Sequence, residues 1–197
     1  MVQDSSRPEF WDTRYANRVT PWDAGRVPHD LARFAVTHAG ERRVLIPGCG
    51  SAYEARHLAE AGWSVTAIDF SRPALEAARR TLGPFASCAI EADFFAYDDG
   101  SPWPVIYERA FLCALPRRLW PAYADRMAQL LAAGGVLAGY FFFDDSERGP
   151  PFGASQKELD ALLAPAFELV DDRAAADSIP VFQGKERWQV WRRGHDG

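Results

Sequence analysis

The spacing of apolar residues changes repeatedly along the chain, and the changes predict strands and helices taking turns. Val44, Leu45 and Ile46 form an unbroken apolar run within 43–47, the pattern of a strand buried on both faces. Residues 51–61 follow as a helix closed by Gly62, and 63–68 as the next strand. Ser71 can cap a helix that runs to Leu82, with Pro73 tolerated in its first turn and Gly83-Pro84 stopping it. Residues 85–91 read as a third strand and 104–111 as a fourth. A helix over 116–133 carries Tyr123, Met127, Leu130 and Leu131 on one stripe; Pro121 kinks or splits it near its start, and Gly134-Gly135 ends it. A fifth strand over 136–143 and a helix over 155–163 follow, and 167–172 with 187–192 form a closing hairpin.

The first forty residues are patterned differently. Residues 7–18 read as a short helix with Phe10, Trp11 and Tyr15 on one side, followed by the turn-like Thr20-Pro21-Trp22-Asp23-Ala24-Gly25. Leu31, Phe34, Ala35 and His38 fall at helical spacing, and Gly40 ends that helix. Alternating strands and helices with short connections imply an α/β fold: a parallel sheet covered on both faces, with ligands bound at the carboxyl ends of its strands where strand order reverses. There is no internal repeat or low-complexity linker, so residues 1–197 are expected to form a single domain, with 1–40 as a distinct N-terminal segment.

Composition narrows the partners. A formal charge of −5 argues against a nucleic-acid partner, which needs a concentrated basic surface. The three cysteines, Cys49, Cys88 and Cys113, are an odd number with no metal-ligand spacing, so a disulfide framework and a metal site are not expected. No apolar run approaches a membrane span, and the first residues lack the basic and apolar regions of a signal peptide, so a cytoplasmic location is expected. No oligomer interface stands out, and a monomer is expected.

The chemistry-bearing pattern begins at Gly48-Cys49-Gly50, directly after the first strand. Glycines there allow a sharp turn and close approach of the backbone to a ligand. A dinucleotide fingerprint would place a third glycine after two further residues, where this chain runs Ser51-Ala52-Tyr53, so a phosphate-free ligand such as an adenosyl sulfonium suits the turn better. Asp69 ends the second strand about twenty residues later, where an acid can accept both ribose hydroxyls; the same residue would also serve as a cap for the helix near Ser71. In Glu91-Ala92-Asp93-Phe94, Asp93 could bond an adenine amino group while Phe94 packs on the ring, though a plain surface turn explains Asp93 almost as well.

Several longer motifs resemble the thiopurine S-methyltransferase superfamily, above all its halide and thiol methyltransferase branch. They are Trp11-Asp12-Thr13-Arg14-Tyr15, Thr20-Pro21-Trp22-Asp23-Ala24-Gly25-Arg26, Val44 to Gly50, Tyr107-Glu108-Arg109-Ala110-Phe111-Leu112-Cys113-Ala114-Leu115-Pro116 and Gly149-Pro150-Pro151-Phe152. The resemblance implies a Rossmann-like class I methyltransferase: a mostly parallel seven-stranded sheet, helices on both faces, an antiparallel C-terminal strand, and the N-terminal segment as a lid over the cofactor S-adenosyl-L-methionine. It also implies that Trp11 and Trp22 contact the cofactor, that Gly48, Cys49 and Gly50 meet its methionine end, that Asp69 with Phe70 meets its ribose, and that Asp93 with Phe94 meets its adenine. Arg109 occupies the place of a substrate-binding arginine.

The chemistry expected of such a site is an in-line methyl transfer to a small soft nucleophile, namely a thiol, a thiopurine-like heterocycle, sulfide, a halide, or a selenium or tellurium species. Alignment does most of that work. A sulfonium is attracted to ring faces, which gives Trp11, Tyr15 and Trp22 a reason to collect in one segment; packing the N-terminal helix onto the sheet is an equally good reason. Arg109 is the candidate catalytic group, favouring an anionic nucleophile, with a salt bridge to Glu108 or another acid as its alternative role. Tyr15 and Phe152 are candidate pocket-lining residues for the acceptor. No strong general base stands out; His29 reads as a helix start and Cys113 as a small buried residue. Two other readings stay open at this point: an NAD-dependent oxidoreductase on a similar sheet, and a non-catalytic module that binds the same cofactor.

Overall fold

The computed structural model describes residues 4–146 and 148–194. Its strands are β1 (Arg43–Pro47), β2 (Ser64–Asp69), β3 (Ala89–Glu91), β4 (Trp103–Arg109), β5 (Leu131–Phe142), β6 (Phe167–Ala174) and β7 (Glu186–Arg193). Its helices are α1 (Pro8–Ala16), α2 (His29–Thr37), α3 (Tyr53–Glu60), α4 (Arg72–Leu82), α5 (Trp120–Leu130) and α6 (Gln156–Leu163). The strands form one seven-stranded sheet in the order β3-β2-β1-β4-β5-β7-β6. The pairs among β1 to β5 are parallel, and β7 is antiparallel to both β5 and β6. Strand order reverses between β1 and β4, which opens a crevice at their carboxyl ends.

Each central strand feeds two cores. Val44 and Ile46 enter one apolar cluster and Leu45 the other; Val105 and Tyr107 are likewise separated from Ile106. This is the two-residue period of a strand with both faces covered. Ser71 caps α4 by accepting from the Ala74 N–H at 3.3 Å, and Gly83 ends it with a φ of +57°. Ser155 and Glu158 form a reciprocal capping box on α6. Pro121 sits in the first turn of α5, after a 3-10 turn over Arg117–Leu119, so the expected break near the helix start is a change of helix type.

Two expected boundaries move. The strand expected over 85–91 is only Ala89–Glu91, because the preceding Gly83–Cys88 winds into a 3-10 turn whose Phe85 tucks against the core. The helix expected to reach residue 133 ends at Leu130, and the next residue already belongs to β5. Gly134-Gly135 is therefore no helix stop. It lies in an irregularity of the ladder where Trp103 pairs with Leu131 and Val105 with Val136. A Cβ on Gly135 would come within 3.0 Å of the Trp103 carbonyl, so glycine is what lets the two backbones approach.

Candidate active site

The crevice widens into a cavity of about 480 Å³, within the range of a site for a cofactor-sized ligand. Its floor is the turn after β1. Gly48 and Gly50 both adopt left-handed backbone, with φ of +58° and +53°. The third glycine of the dinucleotide pattern would fall at Tyr53, the first residue of α3; Ala52 before it has φ of +59° and is buried. The turn therefore carries a left-handed residue with a Cβ, at a cost of roughly 1–2 kcal/mol. Side chains crowd the turn closely. A Cβ on Gly48 would meet the Phe111 ring at 2.5 Å, and one on Gly50 would meet the Tyr15 hydroxyl at 2.5 Å.

Asp69 ties this turn to the next helix. Its Oδ2 accepts from the Gly50 N–H at 3.1 Å and its Oδ1 from the Ser71 N–H at 2.9 Å. The cap of α4 is Ser71, so Asp69 does not itself fill that role. An ionised carboxylate has about four lone-pair sites, so these two bonds leave capacity for a ligand's hydroxyls. Burial raises the Asp69 carboxyl to about 6, against the lowering effect of the Ser71, Gly50 and Phe70 N–H groups. Phe70 and Asp93 also line the cavity, and Asp93 accepts from the Phe95 N–H at 2.9 Å, so it makes a turn bond while facing the cavity. Phe94 is buried against Phe111, ring centroids 5.1 Å apart and edge to face.

The N-terminal segment forms the opposite wall. Trp11, Tyr15 and Trp22 all line the cavity, with Trp11 and Trp22 edge to face at 5.3 Å and Tyr15 6.2 Å from Trp22. Burial pushes the Tyr15 phenol up, so it stays neutral. Among the links that hold the segment down, the Ser5 hydroxyl donates to the Ala114 carbonyl at 2.7 Å, the Ser71 hydroxyl to Asp12 at 2.7 Å, Arg118 pairs with Asp4 at 2.9 Å, and Arg26 pairs with Asp177.

Arg109, the last residue of β4, lines the same cavity. It is not paired with Glu108, but it lies at ion-pair distance from two other acids. Its Nε lies 3.7 Å from Glu186 Oε1, its Nη1 lies 4.0 Å from Glu54 Oε1, and its guanidinium stands over the Tyr140 ring. Glu108 points the other way. Its Oε2 accepts from the Phe111 and Leu112 N–H groups at 2.9 and 3.3 Å, which pins the loop after β4, and burial raises its carboxyl to about 7. Ala110, which follows Arg109 and leads into that loop, is left-handed, φ of +56°.

Phe152 is not part of the cavity wall: its N–H donates to the Cys113 carbonyl at 2.7 Å and its ring packs on the apolar cluster, leaving Pro150 and Pro151 to line the cavity. Cys49 lines the cavity but is buried, and burial holds its thiol, like that of Cys113, well above the ordinary range, so neither is a ready nucleophile. His29 begins α2 with an exposed ring near Asp177. Glu54, Tyr107 and Glu186 escaped the sequence reading. Glu54 carried one usable cue, an acid in the first turn of the helix that leaves the glycine turn; Glu186 carried none, being brought in by a distant strand.

Comparison with known proteins agrees with this geometry. The chain is 28% identical over 189 residues to a probable thiol methyltransferase 2 of Arabidopsis thaliana, covering 91% of this chain and 84% of that protein. It is 27% identical to a thiopurine S-methyltransferase of Aliivibrio salmonicida, covering 93% and 97%. Its fold matches that of the Burkholderia thailandensis 1,6-didemethyltoxoflavin-N1-methyltransferase with a TM-score of 0.78 at 17% identity, over 97% of this chain and 88% of that one. Among the described residues no helix is long and apolar enough to cross a membrane. The family model for thiopurine S-methyltransferase matches residues 6–194, so the chain belongs to that family and is an S-adenosylmethionine-dependent methyltransferase.

Proposed function

We propose that the chain methylates a small, soft, sulfur-type nucleophile held beside Arg109, with the cofactor lying between the Gly48–Gly50 turn and the N-terminal lid. The observation that carries this reading is the position of Arg109 on the wall of the cavity that the glycine turn, Asp69 and the lid tryptophans also line. The names of the two relatives above, a thiol and a thiopurine S-methyltransferase, favour sulfur as the acceptor atom.

The residues fit an adenosyl sulfonium. Asp69 keeps lone pairs for two ribose hydroxyls, with Phe70 beside it. Asp93 has one oxygen engaged and one available for an adenine amino group, and Phe94 backs that end of the cavity. Gly48, Cys49 and Gly50 offer close backbone for the methionine end, and Trp11 and Trp22 offer rings to a cation. When bound, the cofactor supplies a methyl group on a positively charged sulfur.

The chain's own part is to hold and dry the reactants. Positioning of this kind can lower a barrier by roughly 7–11 kcal/mol. Trp11, Tyr15 and Trp22 keep water from the acceptor, and shedding water strengthens a soft anion as a nucleophile. Arg109 favours the ionised form of a bound thiol through its charge. Tyr15 stays neutral and borders the acceptor's space. A screen with a labelled methyl donor against iodide, bisulfide, aromatic thiols and thiopurines tests the reading. Transfer to the sulfur acceptors is the expected result. Calorimetry showing tight NAD binding and no response to S-adenosylhomocysteine would sink it.

A further inference from the structure

Beneath the lid lies a polar cluster that the cofactor's contacts leave unused. Arg109 sits between Glu54 of α3 and Glu186 of β7, at 4.0 and 3.7 Å, both longer than a direct hydrogen bond. Arg109 Nε and Nη2, Glu186 Oε2 and the Tyr107 hydroxyl are buried with no hydrogen-bond partner among the described residues. These side chains are deep: Arg109 is 8% exposed and Glu186 3%. Tyr107, Arg109 and Glu54 line the cavity. Buried polar groups in folded proteins are nearly always satisfied, so the orphaned Arg109 N–H groups and Tyr107 hydroxyl, on residues that line the cavity, point to a polar guest.

Charge restricts what that guest can be. One guanidinium between two carboxylates carries an excess of one negative charge when both are ionised, and an anionic guest would add to it. A neutral guest with a proton to give avoids that penalty: its lone pair can face the unpartnered Arg109 N–H groups and its X–H the Glu54 carboxylate on the same cavity wall. The groups around Glu54 are Arg109 and Tyr107 of β4, Asp23 of the lid and Cys49 of the glycine turn; around Glu186 they are Arg109, Asp177 and Ser178.

We infer that Glu54 is a catalytic base that accepts the proton of a neutral thiol or hydrogen chalcogenide, while Arg109 steadies the sulfur or selenium as that proton leaves. The inference rests on the methyl-transfer reading above. In the step, the acceptor's S–H bond breaks and an O–H bond forms at the Glu54 carboxylate. The pair left on sulfur forms the new S–CH3 bond, and the pair of the broken CH3–S bond stays on the departing thioether sulfur. The proton on Glu54 passes to water when the lid opens. Glu186 is a positioning residue that holds the Nε side of Arg109. Burial raises both glutamates above the ordinary carboxylate range, which suits a group that must take a proton and give it back.

The test is Glu54→Gln in the full chain. Methylation of 2-mercaptoethanol, 4-nitrothiophenol and iodide is followed between pH 6 and 9, with S-adenosylhomocysteine affinity measured by calorimetry. General-base catalysis contributes about 10²–10⁴-fold. Transfer to 2-mercaptoethanol at pH 7 should therefore fall about a hundredfold or more and recover as the pH nears the thiol's own ionisation. Iodide, which has no proton, and 4-nitrothiophenol, already ionised in solution, should lose no rate and gain if anything, because the amide removes a negative charge that opposes an anion, and product affinity should stay within twofold. Three results overturn the inference alone: unchanged transfer to 2-mercaptoethanol at pH 7, equal losses with all acceptors, or a tenfold loss of S-adenosylhomocysteine affinity, which would make Glu54 a cofactor ligand. A wild-type chain that binds S-adenosylhomocysteine but methylates none of the three overturns the reading and the inference with it.

Discussion

Glu108→Gln should stabilise the protein at alkaline pH. Glu108 is 1% exposed, and burial lifts its carboxyl from 4.5 to about 7. At about 1.4 kcal/mol per pH unit, that difference costs roughly 3 kcal/mol of folding free energy once the group is ionised. The sign follows from which state holds the proton more tightly. The folded chain does, so the stability Glu108 contributes is full below pH 4.5, declines as the pH rises, and is lost above about 7. The amide fits the same contacts. Its oxygen can stand where Oε2 accepts from the Phe111 and Leu112 N–H groups, and its NH2 where Oε1 faces the Tyr123 hydroxyl at 3.4 Å. Urea unfolding followed by tryptophan fluorescence at pH 5 and pH 8 reads the difference. The variant should gain about 3 kcal/mol over wild type at pH 8 and no more than about 1 kcal/mol at pH 5. Parallel stabilities at both pH values, or a variant weaker at pH 8, would refute a buried, costly carboxylate at this position.

Other substitutions probe the cofactor side. Asp69→Ala should weaken S-adenosylhomocysteine binding at least tenfold, about 1.4 kcal/mol, in calorimetry. Because the Asp69 carboxyl titrates near 6, wild-type affinity should decline as the pH falls through that value, whereas Asp69→Asn should lose this dependence. Trp11→Ala should weaken S-adenosylmethionine more than S-adenosylhomocysteine, by roughly 0.5–2 kcal/mol, since only the former carries the cation; equal losses would leave the ring a packing role. Gly50→Ala combines a left-handed φ of +53° with a Cβ 2.5 Å from the Tyr15 hydroxyl, so thermal unfolding should come earlier and product binding should weaken together.

Where local chemistry decides an element, the sequence was readable. β1 runs over Arg43–Pro47 as its apolar run predicts, and Ser71 and Ser155 start their helices because each carries an oxygen that an end N–H needs. Where a long-range pairing decides, it was not. Leu131 has the spacing of a helix stripe, yet it pairs with Trp103 and begins a strand, and the close backbone approach at Gly135 is visible only once β4 lies alongside. Phe85, Ala86 and Cys88 carry apolar side chains that a strand would accept, but β2 pairs with β3 only from Ala67 to Asp69, against Ala89–Glu91.

The candidate site divides along the same line. Gly48, Gly50, Asp69 and Asp93 were readable because each lies at or just beyond the end of one of the successive parallel strands β1, β2 and β3, and such ends must share a rim. Phe152 lies outside the cavity lining, and its loop's order in sequence says nothing of which side chain turns inward. The charged floor under Arg109 was hidden for a stronger reason. Arg109 pairs with Tyr140 across β4 and β5, Tyr140 pairs with Trp188 across β5 and β7, and Glu186 lies two residues before Trp188, on the same face of that strand. Two registers, one parallel and one antiparallel, must both hold before that carboxylate can meet the arginine. A slip of one residue in either would turn the Glu186 side chain to the opposite face of the sheet and leave Arg109 with Glu54 alone. The acidity around the acceptor is therefore set by β-pairing at the far side of the chain, and substitutions that disturb the β5–β7 ladder should alter the pH dependence of methyl transfer without touching a single cavity residue.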